Sequence, residues 1–249
     1  MTVLGSGVSI PLLRGLHLGV GTAIQGAYMD SMQESKWCMQ MKTTDIHEAH
    51  LYSLFNLLVL GPWMYVLVSK YTKPFSSLSK TLLHIPLLTA IHSALYSCIH
   101  RLMHKCRYFR PIHRFHHRYS TNVTPSVANA VSPLEFIFAY MLPFAVGTYV
   151  LNPTVTALDT SVIIVSFFNL LVHDPMLHNV PWPIYFVPPC IHLKHHKDKS
   201  GNYSAPTLWW GDIQDALIFR TQRLGRTIWR AQQWIRIKIS RVRSHFKAF

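Results

Sequence analysis

Four apolar stretches, each close to the length of a membrane-spanning helix, constrain the fold of this chain more than any other feature. They cover residues 51–68, 82–99, 133–151 and 156–172. A helix needs about 20 consecutive apolar residues to cross the hydrocarbon core of a bilayer. Because the links within the first pair and within the second pair are short, the pattern predicts two helical hairpins in an all-α integral membrane protein. The alternative, a buried helical bundle in a soluble protein, is disfavoured by the segment lengths and the hairpin spacing.

The charge of the chain is strongly positive, with 24 Lys and Arg residues against 10 Asp and Glu residues. An excess of this size is typical of proteins that bind nucleic acid or an anionic membrane surface. No zinc-finger, homeodomain or RNA-binding signature accompanies the charge, and the basic residues flank apolar segments. We therefore expect an anionic membrane surface as the partner of these residues, and no nucleic acid.

The distribution of basic residues predicts the orientation in the membrane. If the four spans alternate, residues 101–126 and 173–249 lie on one side, together with an N-terminal segment, residues 1–50. The two later blocks contain six and twelve basic residues, whereas the opposite loops contain three lysines. By the positive-inside rule this side is cytosolic. We therefore expect both termini in the cytosol, and we expect the sequons at Asn122 and Asn202 to stay unglycosylated.

The chain divides into three predicted regions. Residues 1–50 form a cytosolic or interfacial segment, residues 51–212 form the membrane domain, and residues 213–249 form a basic amphipathic helix. Between Arg220 and Lys247 there are nine basic residues and no acidic ones, and apolar residues recur at steps of three and four. Such a helix is expected to lie on an anionic membrane surface; binding to a partner protein is the alternative. The four cysteines form no C-x-x-C pair, which favours free thiols over disulfides.

Histidine is the residue type that indicates chemistry. The chain contains sixteen, and ten of them fall in two short stretches that directly follow the second and fourth apolar segments. These ten are the candidate metal ligands: His100, His104, His113, His116, His117, His173, His178, His192, His195 and His196.

The spacing of these histidines suits two metal ions. Residues four apart share a helix face, whereas His116 and His117 diverge by about 100° around a helix and can serve different ions. The same H-x-x-H-H spacing returns at His192, His195 and His196, so ten imidazoles would give five ligands to each ion. Neutral imidazole suits Fe, Zn, Cu and Ni, and an apolar substrate makes iron with dioxygen the most economical interpretation. The other six histidines are interpreted as structural, and the H-x-x-H at residues 47–50 does not match the H-E-x-x-H of zinc proteases.

Three of the histidine motifs together resemble the fatty acid hydroxylase and sterol desaturase superfamily. Its signature of H-x3-H, H-x2-H-H and H-x2-H-H is matched in order by residues 100–104, 113–117 and 192–196. Pro133-Leu134-Glu135 and Asn202-Tyr203 match further features of the superfamily, and His178 matches a histidine upstream of the last motif. Trp209-Trp210-Gly211-Asp212-Ile213 departs from the usual W-D-x-x-F-G-T ending. The resemblance covers residues 82–212.

The resemblance implies a cytosolic helical cap that holds two irons above a transmembrane bundle, in the endoplasmic reticulum. Zinc is a possible replacement in a purified sample. The implied activity is O2-dependent hydroxylation or desaturation of a membrane lipid, with a sterol-like substrate favoured over acyl or sphingoid chains. Because no His-Pro-Gly-Gly motif of a fused cytochrome b5 is present, electrons from NAD(P)H would arrive through a separate donor such as cytochrome b5. A non-catalytic metal-binding membrane protein is the alternative of a different class.

Overall fold

The computed structural model describes residues 6–33 and 43–209. Nearly all regular structure in these residues is helical, and the only strand-like features are two isolated bridges, Lys73 with Thr154 and Phe186 with Leu208. The predicted all-α class is therefore confirmed. The predicted amphipathic helix at 213–249 lies outside the described residues.

Four helices are long and apolar enough to cross a membrane, as the sequence predicts. Their bounds are Asp45–Ser69, Leu78–Lys105, Pro133–Leu151 and Val155–Val172. The first consists of α2 (Thr43–Phe55), a π-helical turn (Asn56–Leu60) and α3 (Gly61–Ser69). The second span is α4 (Leu78–Lys105). The third consists of α6 (Pro133–Glu135), a π-helical segment (Phe136–Met141) and α7 (Leu142–Leu151). The fourth is α8 (Val155–Val172). Short elements at the end of the bundle that carries the histidines form a cap and include α5 (Arg110–Arg114), a 3-10 helix (His116–Asn122) and α9 (Pro189–Asp198).

The hairpin between α7 and α8 shows how the sequence reverses the chain at the bundle end. Asn152 ends α7 in the left-handed conformation, with φ of 45°, which asparagine tolerates better than most residues. Thr154 then caps α8, because its hydroxyl oxygen accepts a hydrogen bond from the Ala157 N–H at 3.1 Å. The two spans therefore run in opposite directions and are joined by three residues.

The alternating spans place all the histidine motifs at one end of the bundle. Both α4 and α8 run toward this end, where α4 ends in its histidines and α8 is followed by His173. The π-helical turn after α2 braces the loop above it, because the Asn56 side-chain amide donates to the carbonyl oxygens of Asn129 and Val131 at 3.0 and 2.9 Å. The histidines thus lie directly on the end of the bundle of spans.

An additional long helix, α1 (Ser6–Ser31), packs along the bundle. At the end opposite the histidines, Arg14 forms an ion pair with Asp159 of α8 at 2.7 Å. At the histidine end, Asp30 accepts a hydrogen bond from Thr124 at 2.8 Å. The helix therefore runs the length of the bundle, which differs from the expected segment lying wholly on the histidine side.

Glycines explain why α1 packs here although its hydropathy is modest. A Cβ atom on Gly19 would lie 2.0 Å from the Leu57 carbonyl oxygen, and one on Gly15 would lie 2.7 Å from the Pro62 Cα. Close backbone approach through small residues is a common way for helices to associate in membranes. The glycines that dilute the apolar signal in the sequence are thus the residues that allow α1 to join the bundle.

Candidate metal centre

The last two turns of α4 supply the first pair of histidines. His100 and His104 are four residues apart and therefore share one helix face, with ring centroids 4.9 Å apart. His100 is buried, and His104 is half-buried. The end of the second span thus directs two imidazoles toward the cap.

The short α5 and the 3-10 helix after it supply three more histidines. Pro111 lies in the first turn of α5, where its missing N–H costs nothing. His113 ends up against the α4 pair, 4.5 Å from the ring centroids of both His100 and His104. His116 and His117 point to different neighbours, as their spacing predicts, and their own centroids are 5.9 Å apart.

The remaining ligand candidates come from the end of α8 and from α9. His173 is the C-cap residue of α8. In α9, His192 and His196 share a face, with ring centroids 4.8 Å apart, whereas His195 is turned away, 6.1 Å from His196. The second H-x-x-H-H motif therefore divides in the same way as the first.

Nine histidines form two groups, and within each group one ring nitrogen per residue lies within 4.8 Å of all the others. The first group is His100, His104, His113, His117 and His195; the second is His116, His173, His192 and His196. Each H-x-x-H-H motif thus contributes to both groups through its two adjacent histidines.

The outward hydrogen bonds of the rings fix which nitrogen faces each centre. In six of the nine histidines, Nδ1 lies 2.6 to 3.4 Å from a carbonyl or carboxylate oxygen. Carbonyl oxygens and ionised carboxylates only accept hydrogen bonds, so Nδ1 carries the proton and Nε2 carries a lone pair. The six residues are His100, His113, His116, His117, His173 and His195.

In the first group these Nε2 atoms are packed against one another. His100 Nε2 lies 2.9 Å from His113 Nε2 and 3.2 Å from His104 Nε2, which in turn lies 3.2 Å from His117 Nε2. Two lone pairs facing each other cannot form a hydrogen bond. Ligands at right angles on an ion with metal–nitrogen bonds of about 2.0–2.1 Å are about 3 Å apart, so the spacing matches a metal site.

The second group has the same spacing. The Nε2 atoms of His173, His192 and His196 form a triangle with sides of 3.0, 3.2 and 3.2 Å. Three neutral imidazoles cannot form a hydrogen bond along every side of such a triangle, whereas one cation can bind all three Nε2 atoms. Both groups therefore have the donor geometry of a transition-metal site.

Burial keeps these imidazoles in the neutral form that a metal requires. Burial lowers the pKa of His195 and of His173 to about 4 and that of His117 to about 3. It also holds the pKa values of His192 and His196 well below the usual range, and neighbouring histidines add to the effect. At neutral pH the imidazoles of these histidines are uncharged and available as metal ligands.

The structure brings together nine of the ten histidines that the sequence nominates, in groups of five and four. His178 lies in neither group and is exposed at the end of a short 3-10 turn. The equal division into five and five is therefore not what the structure shows. The reason is local: Pro175 starts a turn that directs the chain away from the site after His173, so His178 faces outward.

Glu135 is a part of the site that sequence reasoning did not assign. It is 1% exposed, and its Oε1 accepts a hydrogen bond from His113 Nδ1 at 2.6 Å. Carboxylates in this position orient a metal-ligating histidine and raise its basicity. The signal in the sequence was an acidic residue at the start of an apolar span, where a lone carboxylate is costly.

Two different surfaces adjoin the histidine groups. On the outer side, Arg110, Arg114 and Lys199 line an opening that reaches His104 and His117. On the bundle side, a mostly apolar cavity begins at Asn129 and Asn169 and runs between the spans. The first group can therefore be reached from water, whereas the bundle side offers an apolar environment.

The comparison with protein families gives one result. The model of the family described as fatty acid hydroxylase matches residues 85–217, slightly more than half of the chain. No curated protein and no solved structure matches the chain significantly. The matched residues include every histidine of both groups.

Proposed function

The chain belongs to the fatty acid hydroxylase family, and we propose that it hydroxylates or desaturates a membrane lipid with dioxygen at a dinuclear iron centre. The family implies an oxidoreductase that acts on lipids. The observation that carries the proposal is the convergence of Nε2 atoms in two adjacent groups above a membrane bundle. A structural role alone does not require nine imidazoles, eight of them buried, whose ring nitrogens are packed against one another.

The donor set fits iron. Each group offers only imidazole nitrogen, which suits Fe, Zn, Cu and Ni, and the oxidative chemistry of the family selects iron among these. His100, His104, His113, His117 and His195 would hold one ion, and His116, His173, His192 and His196 would hold the other. When bound, the ions supply dioxygen activation and the removal of hydrogen from a C–H bond.

The residues of the chain position and insulate this chemistry. Glu135 keeps the proton of His113 on Nδ1, so that Nε2 stays directed at the first group. The Asn169 and Gly201 carbonyl oxygens do the same for His173 and His195, at 2.6 and 2.7 Å. Because these partners belong to the backbone and the spans, the ligands are held in place before any metal binds.

We propose that the lipid reaches the centre from the bundle side. The cavity there is lined by apolar side chains such as Leu57, Phe144 and Val165, and it ends beside the backbone that holds His173 and His116. A sterol-like substrate is the expectation from the sequence motifs, and acyl or sphingoid chains are the alternative.

Electrons are proposed to arrive on the opposite side. Conversion of a C–H bond and O2 into an alcohol and water consumes two electrons and two protons, and these must come from outside the chain. The opening lined by Arg110, Arg114 and Lys199 leads from the outer surface to His104 and His117. Its positive charge suits an acidic donor protein such as cytochrome b5 reduced by NAD(P)H.

The four apolar helices and the family make this a membrane protein. We propose that it resides in the endoplasmic reticulum with the histidine end in the cytosol, where the basic residues concentrate. The C-terminal residues are proposed to lie on that side, against the anionic membrane surface. The beginning of α1 is at the other end of the bundle, so we propose that α1 crosses the membrane and revise the expectation of a cytosolic N-terminus.

The experiment that tests the function measures metal content and lipid oxidation together. Purified protein loaded with Fe(II) should contain about two irons per chain and consume O2 only when donor and membrane lipid are both present. His116→Ala or His196→Ala should abolish turnover, because each removes a ligand from the four-histidine group. His178→Ala is the matched control and should retain iron and turnover. Full turnover without His116 or His196 would refute the proposal, and two bound metals without any lipid oxidation would support the non-catalytic alternative.

A further inference from the structure

The cavity in the bundle is apolar except for a few polar atoms at defined positions. It lies between α1, α4, α8 and the two π-helical segments. The Thr22 hydroxyl donates to the Leu18 carbonyl oxygen, and the Tyr65 hydroxyl donates to Asp159. These two lining residues are satisfied by the protein. His92 and Asn169 are different.

His92 presents an acceptor that has no donor. Its side chain is 1% exposed, and its Nε2 lies 3.1 Å from the Tyr140 carbonyl oxygen. A carbonyl oxygen only accepts, so Nε2 carries the proton and Nδ1 carries the lone pair. Within residues 6–33 and 43–209 no group donates to this Nδ1. The ring lines the cavity and packs against the Phe144 ring, which lines it too, with centroids 4.4 Å apart.

Asn169 presents a second acceptor in the same cavity. Its side-chain amide donates to Asn129 Oδ1 at 3.2 Å, and its own Oδ1 finds no donor among the described residues. The residue is 2% exposed and lies one helical turn before His173. His92 and Asn169 thus each bring to the cavity lining a buried acceptor for which the described residues provide no donor.

Unpaired acceptors are costly in this location. An unsatisfied polar group in an apolar environment costs several kcal/mol in general, and in a bilayer no bulk water is at hand to satisfy it. A hydroxyl group would supply the missing donor. An ionised carboxylate, which only accepts, would be repelled by both atoms.

We infer that this cavity binds a lipid through a hydroxyl group that donates to His92 Nδ1, so that His92 selects lipid alcohols over fatty acids. The inference rests on the proposed function only in taking the bound lipid to be the substrate. His92, Tyr96 and His100 follow one another at steps of four on one face of α4. His92 is therefore two turns, about 12 Å, below the first histidine group, and the oxidised carbon is remote from the hydroxyl.

The test is a binding comparison that requires neither metal nor turnover. Full-length protein in nanodiscs binds tritiated hexadecan-1-ol, and unlabelled hexadecan-1-ol, hexadecyl methyl ether, hexadecanoate and cholesterol compete. Because a buried acceptor left without its donor costs about 1–3 kcal/mol, the ether and the acid should bind about five- to 150-fold more weakly than the alcohol. Cholesterol competing as well as hexadecan-1-ol would identify a sterol as the source of the hydroxyl. Failure of cholesterol to compete would identify an alkyl alcohol.

A pair of variants assigns the preference to one residue. His92→Phe keeps the ring and removes the acceptor, so alcohol and ether should then bind equally. His84→Phe makes the same change on α4 outside the cavity and should leave the preference intact. Equal binding of alcohol and ether by the unaltered protein would overturn the inference and assign the two acceptors to water. A preference that persists in His92→Phe would overturn the role of His92. Selective alcohol binding without any oxidation would instead count against the proposed function alone.

Discussion

Replacing Glu135 by Gln is expected to weaken metal binding in one histidine group and leave the other unchanged. Glu135 contacts only the first group, through the 2.6 Å hydrogen bond from His113 Nδ1. Glutamine keeps the size of the side chain and its accepting oxygen but removes the charge. The change therefore tests whether a buried carboxylate strengthens the ligand, separately from whether the side chain fills space.

The magnitude follows from the kind of hydrogen bond that is lost. A bond to a charged group contributes about 1.5–3 kcal/mol, and a neutral one contributes about 0.5–1.5 kcal/mol. The difference of about 1–1.5 kcal/mol corresponds to roughly a tenfold loss of affinity, at the lower end of the 10- to 100-fold effects typical of such partners. Since the second group has no contact with Glu135, its affinity should not change.

The assay is chelator competition with Zn(II) as the bound ion, which titrates both sites. Wild-type protein should release two ions over a narrow range of chelator, whereas Glu135→Gln should release one ion at about tenfold lower chelator. Glu48→Gln, which removes an exposed carboxylate paired with Arg118 on the surface, is the control and should resemble wild type. Equal weakening of both ions, or no weakening, would refute this role of Glu135.

Three further predictions concern packing, pH and topology. Gly19→Ala should lower the free energy of unfolding by about 1–3 kcal/mol, because its Cβ would lie 2.0 Å from a backbone carbonyl oxygen. Thermal unfolding measures the effect, and Gly21→Ala is the control, because a Cβ on Gly21 meets nothing within 4 Å. Metal-free protein should lose stability as the pH falls from about 6.5 toward 4. Histidines become protonated in the unfolded chain over this range, whereas burial holds the pKa of His195 in the folded protein at about 4. An unchanged thermal unfolding temperature between pH 7.5 and 5 would contradict this. In a cysteine-free background, Val8→Cys and Tyr108→Cys, both exposed, should react with an impermeant maleimide from opposite sides of the membrane, and labelling from the same side would show that α1 does not cross.

The spans and most of the ligands were predictable from the sequence because their signals are local. A run of apolar residues long enough to cross a bilayer forms a helix, because its backbone groups must form hydrogen bonds within the segment. The four predicted spans agree with the helices within a few residues at most ends. The division of His116 from His117 was predictable too, since adjacent residues diverge around a helix. The structure confirms that these two rings join different groups.

The position of α1 was not predictable, because it depends on a surface that exists only after the bundle forms. Gly19 and Gly15 allow the helix to approach the backbone at Leu57 and Pro62, and this contact exists only once the first span is in place. His178 shows the opposite case, in which a suitable residue at a suitable spacing is directed outward by the turn at Pro175.

Membrane insertion and the pairs of imidazoles suited to metal could be predicted from the amino acids alone, since helix length and ligand spacing are properties of short segments. The three-dimensional fold was needed to show how nine rings divide between two centres, which carboxylate supports them, and where a cavity with unpaired acceptors lies. Those features join α1, α4, α8 and α9, segments far apart along the chain. Their contacts are set by packing across the whole bundle, which no local pattern encodes.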